Sequence, residues 1–457
     1  MSQTLVVSKK AIAKLTTPQL LKGALYLTWG ASLLLLVATI AGVQGARHAI
    51  KTVGKDSAPS IISAQRIQDS LADMDANVAN ELLVPSGQNP EAVKSYEDRR
   101  QKVNRMILDA AKNITYNEED QILLTLQVKL GEYLTKIQQV RDFHQRGDMN
   151  AVLLNYREAA ELIDKTLLPA ANRLNEVNRK ALDHTYDAER FASASSLFLV
   201  VISGFLLIGA LVVIQLFLSN RTRRTLNPML LGATAIAIIF LGYTTRALLS
   251  ASHNLKVAKE DALQSIQDLR KARSISYSAN GDESRYLLDA ALASQHEQAF
   301  FDKVAKLVSL PEGQTFETVA TASKQGKKVE GFTGYMADEL NNITFAGERE
   351  TAVDTLSKFG VYLDIDQKIR QLQQSGKHKQ AIALCVGNNP GESNWAFDQF
   401  KDANQKTIDI NQAAFDKAVE QGFKDVEGFE TITPVVVVAI ALLTLLGLRP
   451  RLKEYDI

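Results

Sequence analysis

Hydrophobic residues in this chain are gathered into four apolar runs that border two long polar segments. The runs cover residues 24–43, 197–218, 228–249 and 432–448. A helix needs about 20 apolar residues to cross the hydrocarbon core of a bilayer, and the first three runs reach that length. The fourth run is shorter, so a buried core helix is its alternative assignment. The pattern predicts four transmembrane helices.

Lysine and arginine residues are concentrated in the short segments beside these runs. Residues 1–23 contain four lysines, 219–227 contain three arginines, and 449–457 contain two arginines and one lysine. Positive residues next to a span mark the cytoplasmic side of the membrane. The polar segments 44–196 and 250–431 are therefore predicted to lie outside the cytoplasm, with both termini inside it.

The first apolar run has a second interpretation, as a cleaved signal peptide. A signal peptide has a central apolar stretch of roughly 7–15 residues, which is shorter than this run. A polar lead, residues 1–23, also precedes the run. We expect an uncleaved anchor.

Apolar residues inside the polar segments recur at the spacing of helices. Ile122, Leu126, Leu130, Tyr133 and Ile137 lie three or four residues apart, which is typical of one face of a helix. Turn residues separate such stretches and divide the first segment into four helices. The predicted fold class is all-α: four transmembrane helices with two tandem extracytoplasmic four-helix bundles.

The second half of the chain repeats the pattern of the first. At an offset of 205 residues the first apolar run falls on the third, and further along an offset of 229 places Gly131 on Gly360 and Gly147 on Gly376. Such a long repeat in fixed order predicts a tandem duplication. The larger offset requires an insertion, which we place near 311–335 and outside the core that the two copies share.

The order of these elements resembles the four-helix-bundle sensor domain of bacterial chemoreceptors and sensor kinases. In the first copy the third helix ends in Tyr133, Arg141 and Gly147-Asp148. The resemblance extends over nearly the whole chain, once per half, and implies a receptor-like sensor. In those receptors a signalling coiled coil or a kinase follows the second span, whereas only 219–227 and 449–457 follow the spans here. Output would therefore need a separate cytosolic or membrane partner.

A narrower resemblance rests on residues 279–288, Ala-Asn-Gly-Asp-Glu-Ser-Arg-Tyr-Leu-Leu. This run resembles four-span membrane proteins of actinobacteria and cyanobacteria. Some of these are similar to a transducer that links an extracytoplasmic amino-acid-binding lipoprotein to a cytosolic Ser/Thr kinase. The resemblance implies an extracytoplasmic ligand or solute-binding protein, a kinase-like partner, and a bacterial plasma (inner) membrane location, with the thylakoid membrane as the alternative.

Two groups of charged residues are the candidate partner-binding sites. Two readings compete for the arginines of 219–227: contact with anionic lipid, which also sets topology, or docking of a cytosolic partner. The acidic and basic residues of 279–288 belong to the narrower resemblance. The candidates are Arg221, Arg223, Arg224, Asp282, Glu283 and Arg285.

Residues typical of catalysis or metal binding are not grouped in this sequence. None of the six histidines has metal-ligand spacing to another histidine or to cysteine, and no phosphate-binding loop or nucleophile motif occurs. A net charge of +1 gives no field for nucleic acid, and the single cysteine, Cys385, excludes an internal disulfide. We expect no enzymatic activity, no cofactor and no metal.

The sequence therefore predicts a non-enzymatic integral membrane sensor or signal relay. Its expected partners are the lipid bilayer, an extracytoplasmic ligand or binding protein, and a cytosolic or membrane partner such as a kinase; the chain could also associate with copies of itself. The alternative is a structural or assembly subunit of a membrane complex, which would use the bundles as docking surfaces.

Overall fold

Fifteen α-helices and three short π-helical segments make up the part of the chain that the structure describes. The computed structural model describes residues 16–114, 118–222 and 226–454. It is 87% helical, and these residues contain no strand. The predicted all-α fold class is confirmed, together with four helices that could span a membrane.

The helices of the first half begin close to the turns that the sequence predicts. Asn89 caps one of them by accepting a hydrogen bond from the Ala92 amide at 3.2 Å, and Asp148 caps another through the Ala151 amide at 3.1 Å. Gly147 ends the intervening helix with a φ of 75°, which favours glycine. The elements are α1 Thr17–Lys51, π1 Thr52–Ser57, α2 Ala58–Leu82, α3 Pro90–Lys112, α4 Glu119–Gln145, α5 Met149–Leu162, π2 Ile163–Leu167 and α6 Leu168–Thr222.

The second half follows a similar order, with several differences. The elements are α7 Pro228–Lys256, π3 Val257–Leu263, α8 Gln264–Leu288, α9 Ala293–Leu307, α10 Phe316–Lys324, α11 Tyr335–Asn341, α12 Glu348–Gln374, α13 His378–Val386, α14 Ser393–Asp425 and α15 Phe429–Lys453. These described residues include two additional short helices, α10 and α11, no counterpart of π2, and two helices, α14 and α15, in place of the single helix α6. A π-helical turn closes with one residue more than an α-helical turn, and such turns are rare and frequently occur at functional sites.

The chain divides into two compact units, each assembled from separate stretches of sequence. The first, here called the apolar unit, comprises the described parts of Met1–Thr52, Thr185–Lys256 and Ala418–Ile457. The second, here called the polar unit, comprises the described parts of Val53–His184 and Val257–Lys417.

The apolar unit contains the predicted spans. Among the described residues, four helical stretches that include these spans and continue into the polar unit are long and apolar enough to cross a membrane: Thr17–Leu82, Met149–Asn220, Pro228–Leu288 and Ser393–Lys453. Within the unit α15 packs against α1 and α7. Large apolar side chains face outward from it, including Leu33, Phe198, Ile239 and Val435. Such outward apolar faces suit contact with lipid, also for α15, and a helix buried in a protein core would not show them.

Two hydrophobic clusters and one helix pair hold the polar unit together. The first cluster gathers Leu71, Met74 and Tyr133, and the second gathers Phe300 and Phe359 with their neighbours. Helices α2 and α8 lie side by side between them. A Cβ atom on Gly281 would lie 3.5 Å from the Cα atom of Ala76, so the two backbones approach closely. The two polar segments therefore form one unit, a contact that the sequence pattern does not contain.

The predicted insertion near 311–335 is part of this core. Val319 and Phe332 are buried in the second cluster, and α10 packs on α12. A Cβ atom on Gly360 would lie 2.7 Å from Cγ of Phe316, so the ring occupies the space that a side chain at 360 would need. We expected these residues outside the core that the two halves share; in the second half they pack into the second cluster, where glycine at 360 leaves room for the inserted aromatic ring.

Candidate functional site

Helix α2 buries a row of carboxylates, which is the feature that singles out the polar unit. Asp69, Asp73, Asp75 and Glu81 are each at most 9% exposed. Removing a carboxylate from water costs free energy unless a cation or hydrogen-bond donors compensate for it. The groups that face these carboxylates therefore show how the unit is organised, and most of them are arginines of other helices.

Arg285 of α8 forms the centre of the largest group. It forms ion pairs with Asp75 of α2, with Asp282 on its own helix at 3.0 Å and with Asp164 of π2 at 2.9 Å. It also donates to the Tyr156 hydroxyl at 3.2 Å. Buried between three carboxylates, this guanidinium connects the two halves of the chain.

Burial shifts the pKa values of Asp75 and Arg285. Burial raises the pKa of Asp75 to about 6, although Arg285 lowers it. Burial also acts to lower the pKa of Arg285, but its carboxylate neighbours, Asp75 first, hold that pKa well above its usual value. The arginine therefore stays charged, while the carboxyl of Asp75 titrates close to neutral pH.

Glu283 lies two residues before Arg285 on the same helix but in a different environment. It is fully buried, and the Ser393 hydroxyl donates to both carboxyl oxygens at 2.8 and 3.1 Å. Burial, followed by the nearby Asp366, raises the pKa of Glu283 well above its usual value. Ser284 beside it donates to Asn80 of α2 at 2.6 Å. The helix pair is thus joined by neutral as well as charged hydrogen bonds.

Arg370 of α12 is a cation close to the acidic residues Glu283 and Asp366. It forms a bidentate pair with Asp366 at 2.8 and 2.9 Å. Its guanidinium carbon also lies 4.6 Å from the ring centre of Phe300 and 4.7 Å from that of Tyr286. Such stacking fixes the guanidinium plane, which lysine would not do.

A polar cavity opens next to these groups. It has a volume of about 200 Å³ and is lined by Asp73, Asn77, Asn80, Asn280, Asn394 and Lys401, among others. On one side Arg99 of α3 is 2.5 Å from Asp73 and donates to the Tyr277 hydroxyl at 3.3 Å. Amides and charges of both signs suit a small polar molecule. Across the described ranges no group of three His, Cys, Asp or Glu residues could hold a metal ion.

The structure pairs two of the six candidate residues, Asp282 and Arg285, and places a third, Glu283, in a separate environment on the same helix. Asp282, Glu283 and Arg285 are 1%, 0% and 4% exposed, so in this structure their side chains contact other helices of the polar unit and no partner could reach them directly. Their role in partner binding stays a prediction. Arg223 and Arg224 lie outside the described residues, and Arg221 lies in α6 with a side chain that is not described.

Sequence reasoning missed the acidic residues of α2 and their arginine partners. A signal was present: Asp69, Asp73 and Asp75 interrupt a stretch in which Ile67, Leu71, Met74 and Val78 predict a helix buried on several sides. Charged residues in so apolar a helix indicate buried partners. The identity of the Asp75 partner could not be read from the sequence, because Arg285, the arginine that pairs with it, is 210 residues away in the chain.

Comparison with known proteins gives a match to part of the chain. A family model described as the actinobacterial sensor domain matches residues 49–187, which include π1, α2 to α5, π2 and part of α6. The matched stretch is less than half of the chain. No curated protein and no solved structure matches it. The first polar segment therefore has the features of a bacterial sensor domain, in a chain with four helices that could cross a membrane.

Proposed function

We propose that this chain is a non-enzymatic, multi-pass membrane receptor that senses a signal outside the cytoplasm and relays it to a separate partner. One observation carries the proposal: the sensor-domain match at 49–187 begins and ends inside helices that include predicted spans, Thr17–Leu82 and Met149–Asn220. A change in such a helix at one end alters its position or rotation at the other without an additional linker.

The π-helical segments are the proposed sites of adjustment along these helices. π1 follows α1, and π3 follows α7 at the corresponding place in the second half. π turns occur mostly as single-turn bulges inside α-helices and are frequent at functional sites, so we propose that a change of register is accommodated at these turns. In this proposal the residues that bind the signal shift α2 or α8, and the π turns absorb part of the change.

Matching helix bounds support a further part of the proposal, that the two halves are copies. Helices α4 and α12 are both 27 residues long, and their first and last residues are separated by the same offset of 229 that the sequence gives. π1 and π3 begin 205 residues apart. A receptor with two sensor copies in one chain corresponds to a dimer of single sensors.

The partners and the orientation in the membrane are also proposed. The signal is an extracytoplasmic ligand or a binding protein, the output partner is cytosolic or membrane-bound, such as a kinase, and the arginines of 219–227 are a candidate docking site. The membrane is a bacterial plasma membrane with both termini in the cytoplasm. Cysteines placed at the exposed Ser86 and Gln314 should react with a membrane-impermeant reagent in intact cells, whereas buried Cys385 gives little background. Protection of both sites would contradict this orientation.

Spin labels in the apolar unit can test the relay without knowledge of the signal. Labels replace Leu33 of α1 and Val438 of α15, both exposed, in the full chain in nanodiscs. The change is made in the polar unit: Asp75→Asn weakens the pairing of Arg285, and Asp164→Asn does so at a half-exposed site that is less critical for folding. Glu161→Gln is the matched control, because Glu161 pairs only with exposed Lys165 among the described contacts.

A relay predicts that the distance distribution between the labels changes in Asp75→Asn and Asp164→Asn and stays as in the wild type in Glu161→Gln. A rigid assembly subunit predicts no change in any variant. Hydrogen exchange of α2 amides verifies that each variant is folded. Unchanged distances in folded variants of both aspartates would contradict the relay and favour the structural alternative.

A further inference from the structure

Six of the ten residues that line a second cavity of the polar unit are cations. It has a volume of about 350 Å³ and lies where α2, α3, α8 and α14 meet. One acidic residue, Asp69, contributes to its lining. The cations are Arg66, Arg99, Lys102, Arg105, Arg270 and Arg273. This site is called the cationic cavity below.

The cationic cavity has a buried floor and an exposed rim. Arg270 is 5% exposed and Asp69 is 6% exposed, whereas Arg66, Lys102 and Arg105 face solvent. On α3 the rim positions follow one another every three residues, so they share one face of that helix. The cations thus converge on a concave site, which a solvated charged helix surface would not produce.

Few acidic groups balance these charges. Arg99 pairs with Asp73, but Arg273 contacts only neutral groups among its described hydrogen bonds, Gln405 and the Tyr277 hydroxyl. Arg270 has one carboxylate partner, Asp69, at 3.6 Å. For Arg66, Lys102 and Arg105 the described part of the chain contains no ion-pair partner. The cavity therefore carries an excess of positive charge.

The floor also contains polar atoms without partners. Within the described residues Nε of Arg270 has no hydrogen-bond acceptor, and Oδ1 of Asp69 has no donor, although both atoms are buried. A buried polar group without a partner costs free energy that a bound ligand can recover. A guanidinium N–H beside an aspartic acid is a pair of donors for an anion whenever the carboxyl is protonated.

Burial and neighbouring charges agree with this interpretation. Burial lowers the pKa of Arg270 most. Asp69 raises this pKa and the neighbouring cations Arg66 and Arg273 lower it, and the resulting value is about 10. Burial raises the pKa of Asp69 to about 6, although Arg270, Arg273 and Arg99 lower it and Asp73 raises it. An anion in the cavity would favour both the charged arginine and the protonated carboxyl.

We propose that the cationic cavity is a binding site for a small, water-soluble anion with two or more carboxylate or phosphate oxygens to offer. Guanidinium groups bind such oxygens in pairs, and several of them around one site recognise more than a single charge. A small molecule is favoured over an acidic protein segment because the deepest cation, Arg270, is almost fully enclosed. The proposal rests on the proposed function only in making this anion a signal; binding itself is independent of it.

Calorimetric titration of the full chain in nanodiscs of neutral phosphatidylcholine tests the site. The probes are inorganic phosphate, pyrophosphate, succinate and citrate at constant sodium chloride. We expect saturable one-to-one binding of pyrophosphate or citrate, weakened at least tenfold by Arg270→Gln. The double variant Arg66→Gln with Arg105→Gln changes only exposed residues and should weaken binding without affecting folding. Lys165→Gln, an exposed cation outside the cavity, is the control and should bind as the wild type does.

Absence of saturable binding by all four probes would overturn the proposal, and so would equal affinity in the wild type and both cavity variants. The same titration in nanodiscs with phosphatidylglycerol distinguishes a lipid headgroup from a free anion. Binding of a probe in the phosphatidylcholine discs, which contain no anionic lipid, supports the free anion. The assignment to a soluble anion would be overturned if the probes lost affinity in the phosphatidylglycerol discs and if phosphatidylglycerol bound to the wild type but not to Arg270→Gln.

A pH series separates the site from general charge attraction. Sulfate is the probe, because it does not titrate between pH 5.5 and 7.5. Its affinity should rise as the pH falls through that range in the wild type and stay nearly constant in Asp69→Asn. The same dependence in both proteins would contradict the role of Asp69. If an anion binds as expected while the distance between labels at Leu33 and Val438 does not change, the site stands and its link to the proposed relay fails.

Discussion

Two glycines at corresponding places in α4 and α12 have opposite surroundings. A Cβ atom on Gly131 would meet no atom within 4 Å, whereas one on Gly360 would lie 2.7 Å from Cγ and 2.9 Å from Cβ of Phe316. Those atoms are close to the Phe316 backbone and cannot move away easily. Glycine in a helix costs stability relative to alanine, so the same substitution should have opposite effects at the two positions.

We expect Gly131→Ala to raise the free energy of unfolding by about 0.5–1 kcal/mol, because alanine forms helix more readily. Gly360→Ala should lower it by about 1–3 kcal/mol through overpacking. Thermal unfolding of the full chain measures both, and the two variants serve as each other's control. A gain in stability at 360 would contradict the contact of the inserted ring with α12.

Asp69 should make stability depend on pH. Its pKa is raised from 3.8 in the unfolded chain to about 6 in the folded one. The folded state therefore holds more protons between these values, and its stability increases as the pH falls through 6. Between pH 7.5 and 5 this contributes about 1 kcal/mol.

Comparison of the wild type with Asp69→Asn isolates this contribution, because Asp75 and the other titrating groups remain in both. The difference in free energy of unfolding, measured by hydrogen exchange of α2 amides, should shift in favour of the wild type as the pH is lowered. A difference that is constant with pH would mean that Asp69 is not desolvated as described.

At the scale of elements, local patterns account for the regular helices but not for the π turns. The apolar spacing and the turn at Gly147 predict α4 closely, and side-chain capping by Asn89 and Asp148 explains where α3 and α5 begin. Thr-Val-Gly-Lys-Asp-Ser in π1 has no composition that distinguishes it from an α-helix. A π turn adds one residue to an otherwise regular helix, so its position depends on how the flanking segments are held.

This property gives a deletion test in π1. Removal of Gly54 should convert the π turn into an α turn while the flanking helices keep their faces, so the chain should fold with nearly unchanged hydrogen exchange in α2. Removal of Ala72, which is buried in α2, rotates the rest of that helix by about 100° and should abolish protection. Equal damage from both deletions would contradict the π assignment of 52–57.

At the scale of the molecule, the sequence predicts the four apolar helices and the all-α class because those depend on composition and local period. It could not predict that the two polar segments form one unit, since the residues that join them are far apart in the chain. The same limit applies to the candidate site. Asp282, Glu283 and Arg285 were identified from a short motif, but their contacts with α2, π2 and α14 depend on the fold.

The two halves should therefore depend on each other for folding. Helix α2 buries carboxylates against α8, and without α8 those carboxylates and their apolar neighbours would face water. Fragments 1–224 and 225–457, expressed separately, should lack protected amides in α2 and α8. Expressed together, they should be recovered as a complex with the protection of the intact chain. Wild-type protection in either fragment alone would mean that each half folds independently.

Charge reversal in the paired fragments distinguishes the contacts that hold the halves together. Arg285→Glu places a fourth carboxylate among Asp75, Asp164 and Asp282, and loss of a buried partner costs roughly 3–5 kcal/mol, so recovery of the complex should fall at least tenfold. Arg157→Glu is the matched control. It also breaks a pair between the halves, with the buried Asp289, but the Arg157 side chain is 40% exposed, against 5% for Arg285. Water can therefore reach the position that the Arg157 guanidinium leaves, and a single carboxylate remains there, so the effect should be smaller than that of Arg285→Glu. Similar losses in both variants would mean that association depends on overall charge and not on the buried Arg285 cluster.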